Sequence, residues 1–81
     1  MDLEKEMIEK KIKDINAIEF GDSVEDVSSS LLIVMTLFEI DDDPDVLKAC
    51  KLKLYEGISL LKKYGDDRGA KKIESEIEKD S

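Results

Sequence analysis

The sequence predicts an all-α fold, a small bundle or orthogonal array of three longer helices and a short C-terminal helix. Apolar residues recur at steps of three and four along most of the chain, which is the helical period. Only one Pro and four Gly occur in 81 residues, whereas sandwiches and barrels need many turns. We expect helices at residues 3–19, 24–40, 44–63 and 67–78, in a single domain that covers residues 1–81.

The first helix is predicted from one apolar stripe and a charged opposite face. Glu6 with Lys10, and Glu9 with Lys13, form favourable pairs four residues apart on that charged face. Gly21 is expected to end the helix in the left-handed conformation. The stripe consists of Leu3, Met7, Ile8, Ile12, Ile15 and Ile18.

The second helix should begin after Ser23, a favourable N-cap, with Asp26 at the capping-box position. Its centre is the nearly unbroken apolar run from Leu31 to Phe38. The run alone is also compatible with a strand, because several of its residues favour sheets. A strand needs a partner, however, and the rest of the chain offers none. We therefore expect a helix that is hidden by its neighbours.

The sequence Asp43-Pro44-Asp45 predicts the start of the third helix, with Asp43 as the N-cap and Pro44 in the first turn. Its apolar stripe is Leu47, Cys50, Leu54, Ile58 and Leu61. Gly65 should end it, and Asp66 or Asp67 should start the short fourth helix.

The turn over residues 63–70 joins the third and fourth helices through Gly65 and Asp66. It resembles the turn within a tetratricopeptide repeat, which implies a hairpin of two antiparallel helices. Residues 1–45 contain no second copy of this unit. The sequence therefore favours a generic helical hairpin over a true repeat.

The charge is distributed unevenly along the chain. The net charge is −8; residues 1–45 hold 14 acids and 4 bases, and residues 46–81 hold 7 acids and 9 bases. Between Asp14 and Leu47 there are ten carboxylates and no Lys or Arg. This balance disfavours nucleic acid and favours a basic protein partner. The predicted partner-binding acidic surface is Asp22, Glu25, Asp26, Glu39, Asp41, Asp42 and Asp45, although a solvated acidic face that only keeps the domain soluble is the alternative.

The residues offer little for catalysis. The chain has no His and no glycine-rich phosphate loop. Cys50 lies on an apolar stripe and is expected to be a buried thiol rather than a nucleophile. The acidic run that begins at Asp41 does not match an EF-hand loop, because Val46 and Leu52 occupy its sixth and twelfth positions. We expect no enzyme, no cofactor and no metal.

A non-enzymatic acidic adaptor or inhibitor is therefore the expected function. Its size and charge are similar to those of small phage-encoded regulators that bind host or phage proteins. No signal-peptide pattern or membrane-length apolar segment is visible, so we expect a cytoplasmic protein. The apolar surface of the first two helices also predicts a homodimer, with contacts at Met7, Leu32, Met35 and Phe38.

The alternative function is a nucleic-acid-associated regulator that uses a basic face between residues 48 and 72. The same face is also suited to pairing with the acidic half of a second copy. Solvated helix faces are the simplest interpretation. The basic residues are Lys48, Lys51, Lys62, Lys63, Arg68, Lys71 and Lys72.

Overall fold

The computed structural model describes residues 3–79 and contains four α-helices. They are α1 (Leu3–Asn16), α2 (Val24–Ile40), α3 (Pro44–Lys63) and α4 (Asp67–Lys79). No strand occurs within the described residues. The all-α prediction is confirmed, including the helical conformation of the apolar run in α2. The single-domain prediction also included residues 1, 2, 80 and 81, which lie outside the described part.

Helix α3 is the centre of the fold, because α1, α2 and α4 all pack against it and no other pair of helices within residues 3–79 packs extensively. The Cα atoms extend over 47 × 26 × 14 Å. Their radius of gyration is 13.1 Å, whereas a compact domain of this length is expected to have about 11.7 Å. The fold is therefore an open array of helices. Its buried apolar residues are Ile15, Val27, Leu31, Val34, Val46, Ala49, Cys50, Leu54, Ile58, Leu61, Ala70 and Ile77.

Gly57 allows α2 and α3 to approach each other closely. A Cβ atom at Gly57 would lie 2.8 Å from Cγ of Leu31 and 3.0 Å from a ring carbon of Phe20. Leu31 is completely buried, so its side chain has little room to move away. The absence of a side chain at Gly57 therefore sets the distance between these two helices.

The beginnings of α2 and α3 are fixed by local hydrogen bonds. The Ser23 hydroxyl accepts a hydrogen bond from the backbone N–H of Asp26 at 3.2 Å. The Asp43 carboxylate accepts from the N–H groups of Asp45 and Val46 at 2.9 and 3.2 Å. These bonds satisfy N–H groups that lack partners in the first turn of a helix. Both predicted N-caps are confirmed.

The turn between α3 and α4 combines the end of one helix with the start of the next. Gly65 has a φ of 91°, which favours glycine. The N–H of Asp66 donates to the carbonyl of Leu61 at 2.8 Å, and that of Gly65 donates to Lys62 at 3.1 Å, as in a Schellman motif. The Asp66 carboxylate then accepts from the N–H of Gly69 at 3.0 Å and caps α4. The predicted helical hairpin is confirmed.

The prediction that Gly21 ends the first helix is wrong. Helix α1 ends at Asn16, and Gly21 does not have a positive φ. The Lys53 ammonium group of α3 donates to the carbonyls of Asn16 and Ile18, each at 3.2 Å. It also lies 5.8 Å from the centre of the Phe20 ring. The carbonyls at the end of α1 are thus bonded by a buried lysine from another helix, whereas we expected a nearby glycine to end the helix.

The expectation that the apolar run in α2 is hidden is only partly correct. Leu31 and Val34 are completely buried, but Leu32 is 69% exposed and Ile33 is 59% exposed. Ile40, just beyond the run, is 74% exposed. The reason is that α1 and α4 pack against α3 rather than across α2. One side of α2 therefore has no neighbouring helix in the described structure.

We expect Gly57→Ala to reduce the free energy of unfolding by about 1–3 kcal/mol, because its methyl group would overlap with Leu31. Helix propensity alone favours Ala over Gly by about 1 kcal/mol, so the two effects have opposite signs. Urea denaturation measures the result. In a Leu31→Ala background the same substitution should become less destabilising, because the obstruction is gone. A Gly57→Ala protein that is as stable as the wild type would contradict this account of the packing.

Candidate protein-binding surface

The outer face of α2 contains eight exposed residues: six form two rows, and Ser29 and Thr36 lie between the rows. Residues seven positions apart are separated by almost two helical turns and therefore lie nearly in line. Each row begins with a carboxylate and has an aliphatic side chain at its centre. The rows are Glu25, Leu32 and Glu39, and beside them Asp26, Ile33 and Ile40.

Helix α2 forms a ridge between two apolar grooves. The α2–α4 groove has a volume of about 410 Å³ and is lined by Leu32 and Met35 of α2 and by Ile73 of α4. The α1–α2 groove has a volume of about 300 Å³, and Ile18 and Ile33 are among its lining residues. Adjacent residues of α2 therefore point into different grooves.

The predicted acidic surface is divided between the two ends of α2. Glu25 and Glu39 are 14 positions apart in one helix, which corresponds to about 21 Å along its axis. Two carboxylate groups thus flank a centre that contains Leu32 and Ile33, and they do not form one continuous patch. The exposed acids are Asp22, Glu25 and Asp26 at the start of α2, and Glu39, Asp42 and Asp45 near its end.

Asp41 differs from the other predicted acids because its side chain is only 9% exposed. Its carboxylate accepts a hydrogen bond from the backbone N–H of Asp43 at 3.0 Å. It also forms an ion pair with Lys11 of α1 at 3.1 Å. The described structure thus uses Asp41 to hold the α2–α3 connection and the side of α1 together.

The surroundings of Asp41 lower its pKa below the ordinary value of about 3.8. The hydrogen bond from Asp43 is the largest cause, and the hydrogen bond from Lys11 is the second. The last turn of α2 contains no basic residue, although the C-terminal end of a helix favours a positive charge. Lys11 supplies that charge from another helix.

Cys50 lies in the core, as expected, and is completely buried. Burial raises the pKa of its thiol, and the negative charge of Asp41 adds to the increase. Both effects favour the protonated thiol, which is a poor nucleophile.

Three of the four predicted dimer contacts lie along the α2–α4 groove. Leu32 and Met35 line it, and Phe38 lines an adjoining cavity. Met35 and Phe38 are partly buried and also pack against the core of their own chain. Met7 is exposed on α1. Their contact with a second copy stays a prediction.

The predicted basic face is spread over separate surfaces of α3 and α4. Lys48, Lys51 and Lys62 follow one outward stripe of α3, where Tyr55 is 40% exposed. Lys62 forms an ion pair with Glu74 of α4 at 3.5 Å. The other cations do not extend this stripe: Lys63, Arg68 and Lys71 are exposed elsewhere, and Lys72 lines the α2–α4 groove.

The sequence prediction missed four residues that complete the surface, and one signal was available for some of them. An apolar run with no helical period covers several sides of a helix, so part of it must meet solvent or another element. That signal could have identified Ile33 as exposed. The same reasoning applies to Ile40, which lies two residues beyond the run. No comparable signal assigned the α4 residues to the groove. The missed residues are Ile33, Ile40, Ile73 and Glu76.

Neither metal binding nor a membrane span is indicated within residues 3–79. No group of three or more His, Cys, Asp or Glu residues there is arranged to hold a metal ion. None of the four helices is both long enough and apolar enough to cross a bilayer. Comparison of the chain with protein-family models, curated proteins and solved structures gives no match.

We expect the stability difference between wild type and Asp41→Asn to depend on pH. Because the folded pKa of Asp41 is lowered, its contribution is complete above the unfolded value and is lost as the pH falls through the folded value. The wild type should be more stable by about 1 kcal/mol near pH 7. This advantage should disappear in strong acid. Urea denaturation from pH 7 to pH 2 measures it.

Lys11→Met is the matched control, because it removes the ion pair and leaves the hydrogen bond from Asp43. It should retain part of the pH dependence. An Asp41→Asn difference that stays constant, or grows, on acidification would refute the assigned role of Asp41.

Proposed function

We propose that this chain is a non-enzymatic protein–protein interaction module that acts as an adaptor or inhibitor by binding a partner with a basic surface. The outer face of α2 carries this proposal. Leu32, Ile33 and Ile40 are each more than half exposed on one helix, and carboxylates flank them. Clustered exposed aliphatic residues with a polar border are typical of binding sites. A small phage-encoded regulator of a host or phage protein is one such module.

The surface area supports a missing partner. The chain exposes 5872 Å², whereas a folded monomer of 9.2 kDa is expected to expose about 4,900 Å². The excess of about 1,000 Å² is comparable to the area of about 800 Å² that one partner buries in a standard interface. Binding of a partner at one face would therefore reduce the accessible surface of this chain to the area expected for a folded monomer of its mass.

The distribution of charge indicates the chemistry of that partner. Carboxylates lie at both ends of the outer face of α2, on either side of its aliphatic centre. A complementary surface has an apolar centre and a Lys or Arg group on each side. Such charges mainly increase the rate of association, and salt weakens their effect.

We expect Glu25→Lys combined with Glu39→Lys to weaken binding of the partner at least about tenfold, since two favourable charge pairs become repulsive. The partner is first captured on the immobilised chain and purified, and its affinity is then measured by calorimetry. Glu4→Lys combined with Glu9→Lys is the control, because both residues are exposed on α1 and the change in net charge is identical.

The control should change affinity less than about threefold at physiological salt. Equal losses in the two double variants would assign the effect to net charge alone. Unchanged affinity in both would exclude the outer face of α2 as the binding surface.

A nucleic-acid-associated regulator is the second candidate, because Tyr55 is exposed on the same stripe of α3 as Lys48 and Lys51. Aromatic rings among cations are suited to stacking on unpaired bases. This function predicts a salt-dependent mobility shift with single-stranded oligonucleotides that Lys48→Glu with Lys51→Glu abolishes and Tyr55→Ala weakens. The absence of a shift at low salt would exclude it.

A further inference from the structure

The α2–α4 groove continues beyond its central cavity. Glu39 and Glu76 line both this cavity and an adjoining one, which also contains Phe38 and Leu47. Along α2 the central cavity alone extends from Ser28 to Glu39, which corresponds to about 16 Å of helix axis. The groove is therefore as long as three turns of an α-helix.

The groove has an apolar central part and charged residues of both signs around it: Glu39, Lys72 and Glu76 line the central cavity, and Lys79 lines the adjoining one. Leu32, Met35 and Ile73 provide apolar surface in the central part. Met is unbranched and adapts its shape to a ligand, so Met35 suits a binding groove. At one end, Glu39 of α2 and Glu76 of α4 contribute carboxylates from opposite walls. That end is suited to a cationic side chain.

We propose that the α2–α4 groove binds one amphipathic helix of the partner protein, about three turns long. Its apolar side chains pack on Leu32, Met35 and Ile73, and a Lys or Arg side chain lies between Glu39 and Glu76. This inference rests on the proposed function and adds the position and secondary structure of one bound segment. That segment contacts the Leu32 row of the outer face of α2, and the Ile33 row remains for other parts of the partner.

A helix fits this groove better than an extended segment. An added strand needs the edge of a sheet, and residues 3–79 contain no strand. A helix in the groove would pack on α2 and α4 together, much as α3 does from the other side. It would also cover Leu32, which the open array leaves exposed.

A second copy of the chain is a poor occupant on electrostatic grounds. Glu25 and Glu39 each lie seven residues from Leu32. A two-fold contact of antiparallel α2 helices at Leu32 would therefore place Glu25 of one copy opposite Glu39 of the other. Each copy also carries a net charge of −8. A basic partner helix avoids this repulsion.

The α1–α2 groove is the less suitable of the two. It is smaller, and Lys11 and its ion-pair partner Asp41 both line it. Asp41 is therefore already paired with a cation of its own chain, whereas the ion pairs among the described residues include neither Glu39 nor Glu76.

The probe for this proposal is a displayed library of 14-residue helical peptides, panned against the full chain at 150 mM salt. The enriched peptides should carry apolar residues at positions i, i+3 or i+4, and i+7, beside at least one Lys or Arg. Three variants of the chain then locate the bound peptide. They are Leu32→Lys for the α2–α4 groove, Ile33→Lys for the α1–α2 groove, and Leu52→Lys on α3 as the matched control.

All three positions are 59–69% exposed, so the substitutions should preserve the fold, and circular dichroism checks this. The proposal predicts that Leu32→Lys weakens the peptide at least tenfold, and that Ile33→Lys and Leu52→Lys change it less than threefold. Nuclear magnetic resonance should show shifts at Met35 and Ile73.

Several outcomes would overturn the groove assignment. Loss of binding with Ile33→Lys alone, or equal losses with Leu32→Lys and Ile33→Lys, would move the partner to the other groove or to the ridge and leave the proposed function intact. Enrichment of acidic or non-helical peptides would exclude the basic helix. The proposed function fails as well if the Glu25→Lys and Glu39→Lys double variant binds both these peptides and the purified basic partner with the affinity of the wild type.

Discussion

The structure depends on one helix, α3, serving as the packing partner of the other three. Two residues of α3 that are not aliphatic allow the other helices to pack against it. Gly57 allows α2 to approach closely, and Lys53 holds the end of α1 through two backbone carbonyls. A small domain has little apolar surface to bury, so it gains by using several sides of one helix.

The same arrangement determines which surfaces stay open. Helices α1 and α4 lie against α3 on separate sides, and α2 stands between two grooves. Aliphatic side chains that a closed bundle would bury are therefore exposed in the middle of α2, with carboxylates near its ends. The proposed binding surface is thus a direct consequence of the packing around α3. A partner at this face would bury the aliphatic side chains of α2 that no helix of the chain itself covers.

The sequence predicted the features of this fold that depend on neighbouring residues. The starts of α2, α3 and α4 were predictable because Ser23, Asp43 and Asp66 bond to N–H groups within three residues. The end of α1 was not, because Lys53 is 37 positions away from Asn16 in the chain. The difference in exposure between Leu31 and Leu32 likewise depends on how the helices meet. The role of Asp41 required the position of Lys11, which only the tertiary structure provides.

The most direct test of this account measures solvent contact of individual methyl groups by nuclear magnetic resonance with a soluble paramagnetic agent. If only α3 covers α2, then the methyl signals of Leu32, Ile33 and Ile40 should broaden strongly, and those of Leu31 and Val34 should stay sharp. The pattern should be unchanged on dilution. Protection of Leu32 and Ile33 in the dilute monomer would show that α1 or α4 covers α2, which would contradict both the open array and the binding face derived from it.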